Sequence, residues 1–305
     1  MATVYLFPGQ GSQKVGMGVS LVERFDIARQ TFEQASEVLG FDLLALCTNG
    51  PEDQLRATQN AQPALLTHAI AALRVMQQHG DAKPDYLAGH SLGEYSALVA
   101  AGALDLEDAI RLVRIRGEAM IKAVPIGQGA MAALIGVTQA QAQEFCDSVE
   151  GVVVPANLNG SGQVVISGEK VAVEMAMMAA TEAGVRRVMP LPVSGPFHSP
   201  LMQPAADTMA QALEIVRIKP LHTPIIANVT AQVVREPNEV KQLLIQQVVG
   251  AVQWEQTMAI LVEQGVTEAI EFGPGNVLSG LMRRSQKSVA TSNYGEADDF
   301  GPEFK

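Results

Sequence analysis

The sequence predicts an α/β fold: a larger domain built on a mostly parallel sheet, interrupted by a smaller α/β unit. Three observations predict it. Short apolar runs alternate with longer amphipathic ones, in the strand–helix order of a parallel sheet. Near Pro125 the texture changes, and a β-α-β-β-α-β order begins. The 305 residues are long for one core and short for two full-size domains, so an inserted small unit is the natural division.

Val4–Phe7 reads as a strand, followed by a Gly-rich turn. Helical periodicity follows near Leu21–Leu39 and Pro63–His79. Tyr86–Ala88 is another short strand, with a helix starting at Leu92. Leu106–Ile121 is clearly amphipathic. "IGQGAMAALIGV" reads as a strand and Thr138–Val149 as a helix. "GVVVPANLNGSGQVVISG" reads as two strands around an Asn/Gly turn, Lys170–Ala183 as a helix, and "VRRVMPLPV" as extended. This second block, residues 126–193, fits a ferredoxin-like split-βαβ unit. The large domain would comprise residues 1–125 and 194–290, resuming through strands at Ile225–Asn228 and Glu268–Phe272. Residues 291–305 are polar and acidic, and a loose tail is expected there after at most one short strand.

Hydrophobic residues make up 48% of the chain and charged residues 17%, enough to bury a sizeable core. The formal net charge of −11 argues against nucleic acid and membrane surfaces as partners. Cys47 and Cys146 stand far apart in no metal-ligand spacing, and read as packed, reduced thiols. The start of the chain lacks the layout of a signal peptide, and no apolar run reaches the ~18 residues of a membrane span. A cytoplasmic protein is therefore expected.

Gly89-His90-Ser91-Leu92-Gly93 is a G-x-S-x-G sequence in strand–turn–helix context. Small flanking residues permit a tight turn that lifts the Ser91 hydroxyl onto a helix N-terminus. A nucleophilic serine needs a base. Of the five histidines, His68 and His79 sit in a helical pattern, where packing or surface roles are expected. His90 is too close to Ser91 in sequence to fold back on it, and His222 could be either. His198 lies in the Pro/Gly-stiffened loop "PVSGPFHSPLM", and serine before histidine is a hydrolase-like chain order. No acidic third member stands beside it, so a carbonyl is expected to orient the ring.

On a helical wheel of Leu106–Ile121, Arg116 falls inside the apolar arc, between the directions of Leu112 and Ala109. A guanidinium is almost never buried without a partner. An internal salt bridge would satisfy it, and so would a substrate carboxylate held bidentately. With a serine nucleophile, the second reading suggests an acyl donor that is itself an acid.

These residues also carry a resemblance. The chain resembles the malonyl-CoA:acyl carrier protein transacylases, within the acyltransferase family of fatty acid and polyketide synthesis. The likeness spans about residues 3–285. It rests on ordered motifs: "FPGQGSQ" at Phe7–Gln13, "TQNAQPAL" at Thr58–Leu65, "GHSLGEYSAL" at Gly89–Leu98 and "VRIRGEAM" at Val113–Met120. They continue with "NLNGSGQVVISG" at Asn157–Gly168, "PVSGPFHSPLM" at Pro192–Met202, "QQVVGAVQW" at Gln246–Trp254 and "EFGPGNVLSGL" at Glu271–Leu281. The resemblance implies an α/β-hydrolase-like large domain with a ferredoxin-like insert. It implies Ser91 as the acyl-carrying nucleophile, His198 as its base and Arg116 as the partner of the malonyl carboxylate. It implies an oxyanion hole from the backbone N–H groups of Gln10 and Leu92. Gln247 matches the glutamine whose main-chain carbonyl orients the histidine, and Asn159 matches an asparagine near the substrate. Phe197 resembles the malonyl-type version of its loop, where a ring crowds an α-methyl branch. One departure is Ala251, where the family often has proline.

The implied reaction moves malonyl from malonyl-CoA to the phosphopantetheine thiol of an acyl carrier protein, through malonyl-Ser91. It needs no metal and no other cofactor, and a monomer is expected. Carrier proteins of this family are usually acidic, so docking calls for a local basic patch. Arg186 with Arg187, and Arg283 with Arg284 and Lys287, are the candidates. A trans-acting polyketide acyltransferase and a thioester hydrolase on the same scaffold are the alternatives, and a non-catalytic acyl-CoA or carrier binder is a third. A hydrolase has little need of Arg116, and a binder has little need of Ser91 and His198.

Overall fold

The computed structural model describes residues 2–80, 83–193 and 195–304. Strand β1 (Ala2–Phe7) alternates its side chains between two faces. Tyr5 and Phe7 enter one core, and Val4 and Leu6 enter another. Both faces are therefore covered, as a parallel sheet requires.

The first helical stretch is two helices, α1 (Val19–Arg24) and α2 (Asp26–Leu39). Phe25 separates them in an extended conformation, its ring buried. Short helices α3 (Leu43–Asn49) and α4 (Glu52–Arg56) follow. Helix α5 (Thr58–His79) begins five residues ahead of the predicted Pro63, which lies within it. Proline removes one helical N–H, which leaves the Gln59 carbonyl without its usual donor. Arg114 Nη1 donates to that carbonyl at 3.2 Å instead.

Strand β2 (Tyr86–Gly89) leads into α6 (Gly93–Ala100), and α7 (Leu106–Lys122) packs along α5. The next block has the predicted order: β3 (Gly129–Ile135), α8 (Gln139–Asp147), β4 (Val153–Gly160), β5 (Gln163–Glu169), α9 (Lys170–Glu182) and β6 (Arg187–Pro190). Its four strands form a separate antiparallel sheet in the order β4-β5-β3-β6. One face packs on α8 and α9 through Ala132, Leu134 and Ile166. The other face brings Met131, Ala133 and Val165 into the main core. The two sheets thus share a core, and the seam between them is where the pocket described below opens.

The chain continues through α10 (Gln203–Glu214), β7 (Ile225–Ile226), β8 (Val233–Val234), α11 (Pro237–Val249), α12 (Trp254–Glu263), β9 (Val266–Phe272), α13 (Val277–Ser285) and β10 (Ala290–Tyr294). The large sheet runs β10-β9-β1-β2-β7-β8, parallel except for β8. The architecture is mixed α/β, with a mostly parallel sheet and a distinct antiparallel one.

The sequence allows one short strand at the end of the chain, and β10 is that strand; the loose tail expected after it is corrected. Residues 290–294 form the edge strand β10 against β9. Phe300 is 2% exposed and packs edge-on to Phe25. Arg24 donates to the carbonyls of Ala297, Phe300, Gly301 and Phe304. The acidic composition of the segment conceals Phe300, which packs on Phe25, Tyr294 and Phe304. Among the described residues, no helix is long and apolar enough to cross a membrane. Cys47 and Cys146 are both buried, free thiols.

Candidate active site

Register brings the site together. β1 pairs with β2 so that Phe7 lies opposite Gly89, and β2 pairs with β7 so that Ala88 lies opposite Ile226. The loops leaving these three parallel strands emerge side by side at their carboxyl ends, where α/β sheets hold ligands. They carry Gln10, Ser91 and Asn228.

Ser91 sits at φ 52°, a left-handed conformation that costs a non-glycine residue about 1–3 kcal/mol. Two clamps hold it there. Its N–H donates to Asn228 Oδ1 at 2.6 Å, and its carbonyl accepts from Gln247 Nε2 at 2.8 Å. Asn228 Nδ2 also donates to the Gly89 carbonyl at 2.7 Å, closing the turn from the other side. The flanking glycines are sterically required. A Cβ on Gly89 would lie 2.0 Å from the Gly93 backbone, and one on Gly93 would lie 2.0 Å from the Phe7 carbonyl oxygen.

His198, itself at φ 60°, brings Nε2 to 2.7 Å from Ser91 Oγ. Its Nδ1 faces two acceptors, the carbonyls of Gln247 at 2.9 Å and Gly250 at 3.2 Å. Both can only accept, so Nδ1 carries the proton and Nε2 is left free to take one from the serine. Main-chain oxygens do the orienting work of a third, acidic member. Ala251, in place of the family's usual proline, leaves both of those carbonyls on the ring.

Burial first, and then the positive charge of Arg116, push the His198 imidazole down to about 3. The ring is thus neutral well below the ~6.5 of a free histidine. Its contribution to stability is complete above the unfolded value of 6.5. It is lost as pH falls from there through about 3, because the unfolded chain takes up the proton first. The His198 ring nitrogens should keep neutral-ring 15N shifts from about pH 8 to about pH 5. A midpoint near 6.5 would contradict this environment.

Arg116 is 1% exposed, as the helical wheel of α7 requires. Its Nη1 donates to Gln62 Oε1 at 2.9 Å, and its Nη2 to Gln247 Oε1 at 2.8 Å and Ser91 Oγ at 3.0 Å. The guanidinium lies 5.7 Å from the centre of the Tyr95 ring. Among the described residues no carboxylate forms a salt bridge with it. The predicted choice between internal ion pair and ligand clamp therefore falls away from the ion pair. Three neutral oxygens hold a buried charge beside the nucleophile.

A cavity of about 310 Å³ opens over Ser91. Gln10, Leu92, Arg116, Phe197 and His198 line it, together with Gln62, His90 and Met120. The small sheet and the segment after it supply Met131, Asn157, Leu191 and Val193 to the opposite wall. Gln10 and Leu92 both line the cavity, and among the described residues their backbone N–H groups have no acceptor. Two predicted binding residues stand behind the wall rather than in it. Asn159 Oδ1 accepts from His90 Nε2 at 2.9 Å, and the neighbouring pocket residue is Asn157. Gln247 is fully buried and reaches Arg116, Ser91 and Glu94. Two residues apart, 157 and 159 would share a face of a regular strand, but the β4–β5 register shifts between Leu158 and Gly160, and of the two asparagines only Asn157 lines the cavity. Gln62, Asn228, Glu94 and Asn157 were missed as site residues. Of the remaining histidines, His68 is buried against Phe32 and His222 is exposed, and the His79 side chain lies outside the described residues.

The site thus sets a serine hydroxyl against a neutral histidine, beside a buried guanidinium, in one cavity. Comparisons with known proteins give the family. Residues 4–298 match the family described as "Acyl transferase domain", and the chain belongs to that family. It is 48% identical over 290 residues to the malonyl CoA-acyl carrier protein transacylase of Bacillus subtilis, covering 94% of this chain and 91% of that one. The crystal structure of an acyl-carrier-protein-S-malonyltransferase from Bartonella henselae is 47% identical, with a TM-score of 0.96, covering 98% and 97% of the two chains. A malonyl-transacylase solved in complex with a type II PKS acyl-carrier protein is 43% identical, also with a TM-score of 0.96, covering 98% and 97%. The chain is an acyltransferase.

Proposed function

We propose that the protein transfers malonyl from malonyl-CoA to the phosphopantetheine thiol of an acyl carrier protein. The observation that carries this reading is Arg116: a buried guanidinium, held only by neutral oxygens, 3.0 Å from the serine that would bear the acyl group. A carboxylate arriving there meets a buried guanidinium with no direct ion-pair partner among the described residues, where the attraction is strong. The names of the relatives support the same reading.

His198 Nε2 takes the Ser91 proton as Oγ bonds to the thioester carbon. The N–H groups of Gln10 and Leu92 stabilise the oxyanion, each contributing on the order of 3 kcal/mol. The C–S bond breaks, and coenzyme A leaves with the proton held by His198. In the second half, the carrier thiol gives its proton to His198 and its sulfur attacks the malonyl ester. The C–Oγ bond breaks, and the serine recovers the proton. No oxidation state changes, so the chemistry asks for no metal or redox cofactor.

The resemblance supports reading the two sheets as an α/β-hydrolase-like domain, residues 1–125 and 194–290, with a ferredoxin-like insert at 126–193. The strand order β4-β5-β3-β6 supports the second half of that reading. The enzyme is proposed to act as a cytoplasmic monomer. An acidic carrier needs a basic landing point on a chain of net charge −11. Arg283 and Arg284 are exposed in the last turn of α13. Beside them Ser285 Oγ meets Ser161 Oγ at 2.8 Å, in the β4–β5 turn, so this patch stands where the two sheets meet. Lys287, and separately Arg186 and Arg187 at the start of β6, are the other exposed basic candidates.

The fate of the loaded enzyme tests the proposal. Malonylated protein freed of coenzyme A should keep its adduct in buffer and pass it to added carrier protein. Release of free malonate at the same rate with and without carrier would make it a hydrolase and overturn the reading.

A further inference from the structure

Glu94 is a carboxylate without a role so far, 1% exposed, on the first turn of α6. Its Oε2 accepts from Gln247 Nε2 at 2.7 Å and from the Asn228 backbone N–H at 3.2 Å. Gln247 Nε2 has two hydrogens. One goes to Glu94 and the other to the Ser91 carbonyl at 2.8 Å. With both committed, the amide has only one sense, and its Oε1 faces Arg116 Nη2 at 2.8 Å. The reversed amide would set NH₂ against the guanidinium and oxygen against both a carboxylate and a carbonyl.

We propose that Glu94 is a positioning residue for acyl-group selectivity: it fixes the sense of the Gln247 amide, and so aims Arg116 at the substrate carboxylate. The proposal rests on the malonyl-transfer reading above. Glu94 acts at one remove, since it is not among the residues lining the cavity. Its second contact, to Asn228, ties the same carboxylate to the residue that clamps the Ser91 turn. What the network needs from Glu94 is an acceptor at Oε2. Burial pushes its carboxyl up to about 7, against the opposing pull of Gln247, Asn228 and Arg116. A neutral isostere with the same acceptor should therefore serve nearly as well.

The experiment compares single-turnover acylation of Ser91 by malonyl-CoA and by acetyl-CoA in wild type, Glu94→Leu and Glu94→Gln. Glu94→Leu should lower the malonyl-to-acetyl ratio about tenfold or more, the scale of one charge-assisted hydrogen bond. Glu94→Gln should restore the ratio to within about threefold of wild type, because its amide oxygen keeps both bonds. If both donors slow equally in Glu94→Leu, the role is structural and the proposal fails. If Glu94→Gln loses the ratio as fully as Glu94→Leu, the charge acts directly and the proposal fails. Should Glu94→Leu not fold, Glu94→Gln decides alone by the same threshold. A wild type that loads both donors equally would sink the malonyl reading itself, and this proposal with it. A malonyl preference in wild type that survives Glu94→Leu would sink the proposal alone.

Discussion

His198→Ala is expected to slow loading of Ser91 by malonyl-CoA by about 10⁴- to 10⁶-fold, the scale on which serine–histidine pairs fail when one member is removed. The reason lies in the wiring of the ring. Among the described residues Nε2 is the one base within hydrogen-bond reach of Ser91 Oγ, and the other side-chain contact to that oxygen, from Arg116, is a donor. Nδ1 is held by two main-chain carbonyls, and among the described residues no carboxylate contacts the ring or Ser91 Oγ. Rapid-quench intact-mass measurement of adduct formation checks this. A loss below about tenfold would mean that the proton leaves by another route.

Arg116→Ala is expected to lower malonyl loading by about 10²- to 10³-fold, the cost of leaving a buried carboxylate without its cation. Acetyl loading should fall far less. The variant also strands the acceptors Gln62 Oε1 and Gln247 Oε1, a structural cost that both donors share. The ratio of the two rates cancels that shared part and isolates the carboxylate. Parallel kcat/KM measurements with the two thioesters give the ratio, and an unchanged ratio would rule the clamp out.

The features legible in the sequence are those with a local signature. Ser91 could be found because strand, turn and helix are contiguous, and because glycines at 89 and 93 leave a single reading of the turn. Arg116 could be found because helical periodicity converts a one-dimensional pattern into burial. The β-α-β-β-α-β block announced itself through turns and alternation. The large sheet's strand order did not, because β9 and β10 join β1 from the far end of the chain. Helices α3, α4 and α10 to α13 are not among the elements predicted from the sequence, and α3, α4 and α13 are short. Gln62 is one of several polar residues in "TQNAQ", and only packing of α5 on α7 distinguishes it from Gln59. Asn228 follows a two-residue strand, and its role depends on β7 lying beside β2.

Glu94 did leave a signal. Residues Gly93 to Leu98 of α6 are all buried, and the sequence "GEYSALVA" has no polar face on which a carboxylate could reach water. The reasoning that singled out Arg116 applies equally to it: a charged side chain in an apolar helix must have partners. The tail was missed for the opposite reason, since acidic residues around Phe300 suggested solvent where the structure has a packed ring.

On the proposed function, Ser91 carries an acid-bearing acyl group next to the buried Arg116 guanidinium. Peptide mapping after exposure to equal malonyl-CoA and acetyl-CoA tests it most directly. The account predicts one modified peptide, containing Ser91, bearing malonyl in large excess over acetyl, and no modification in Ser91→Ala. A malonyl group on another residue, or acetyl and malonyl in equal amounts on Ser91, would contradict it.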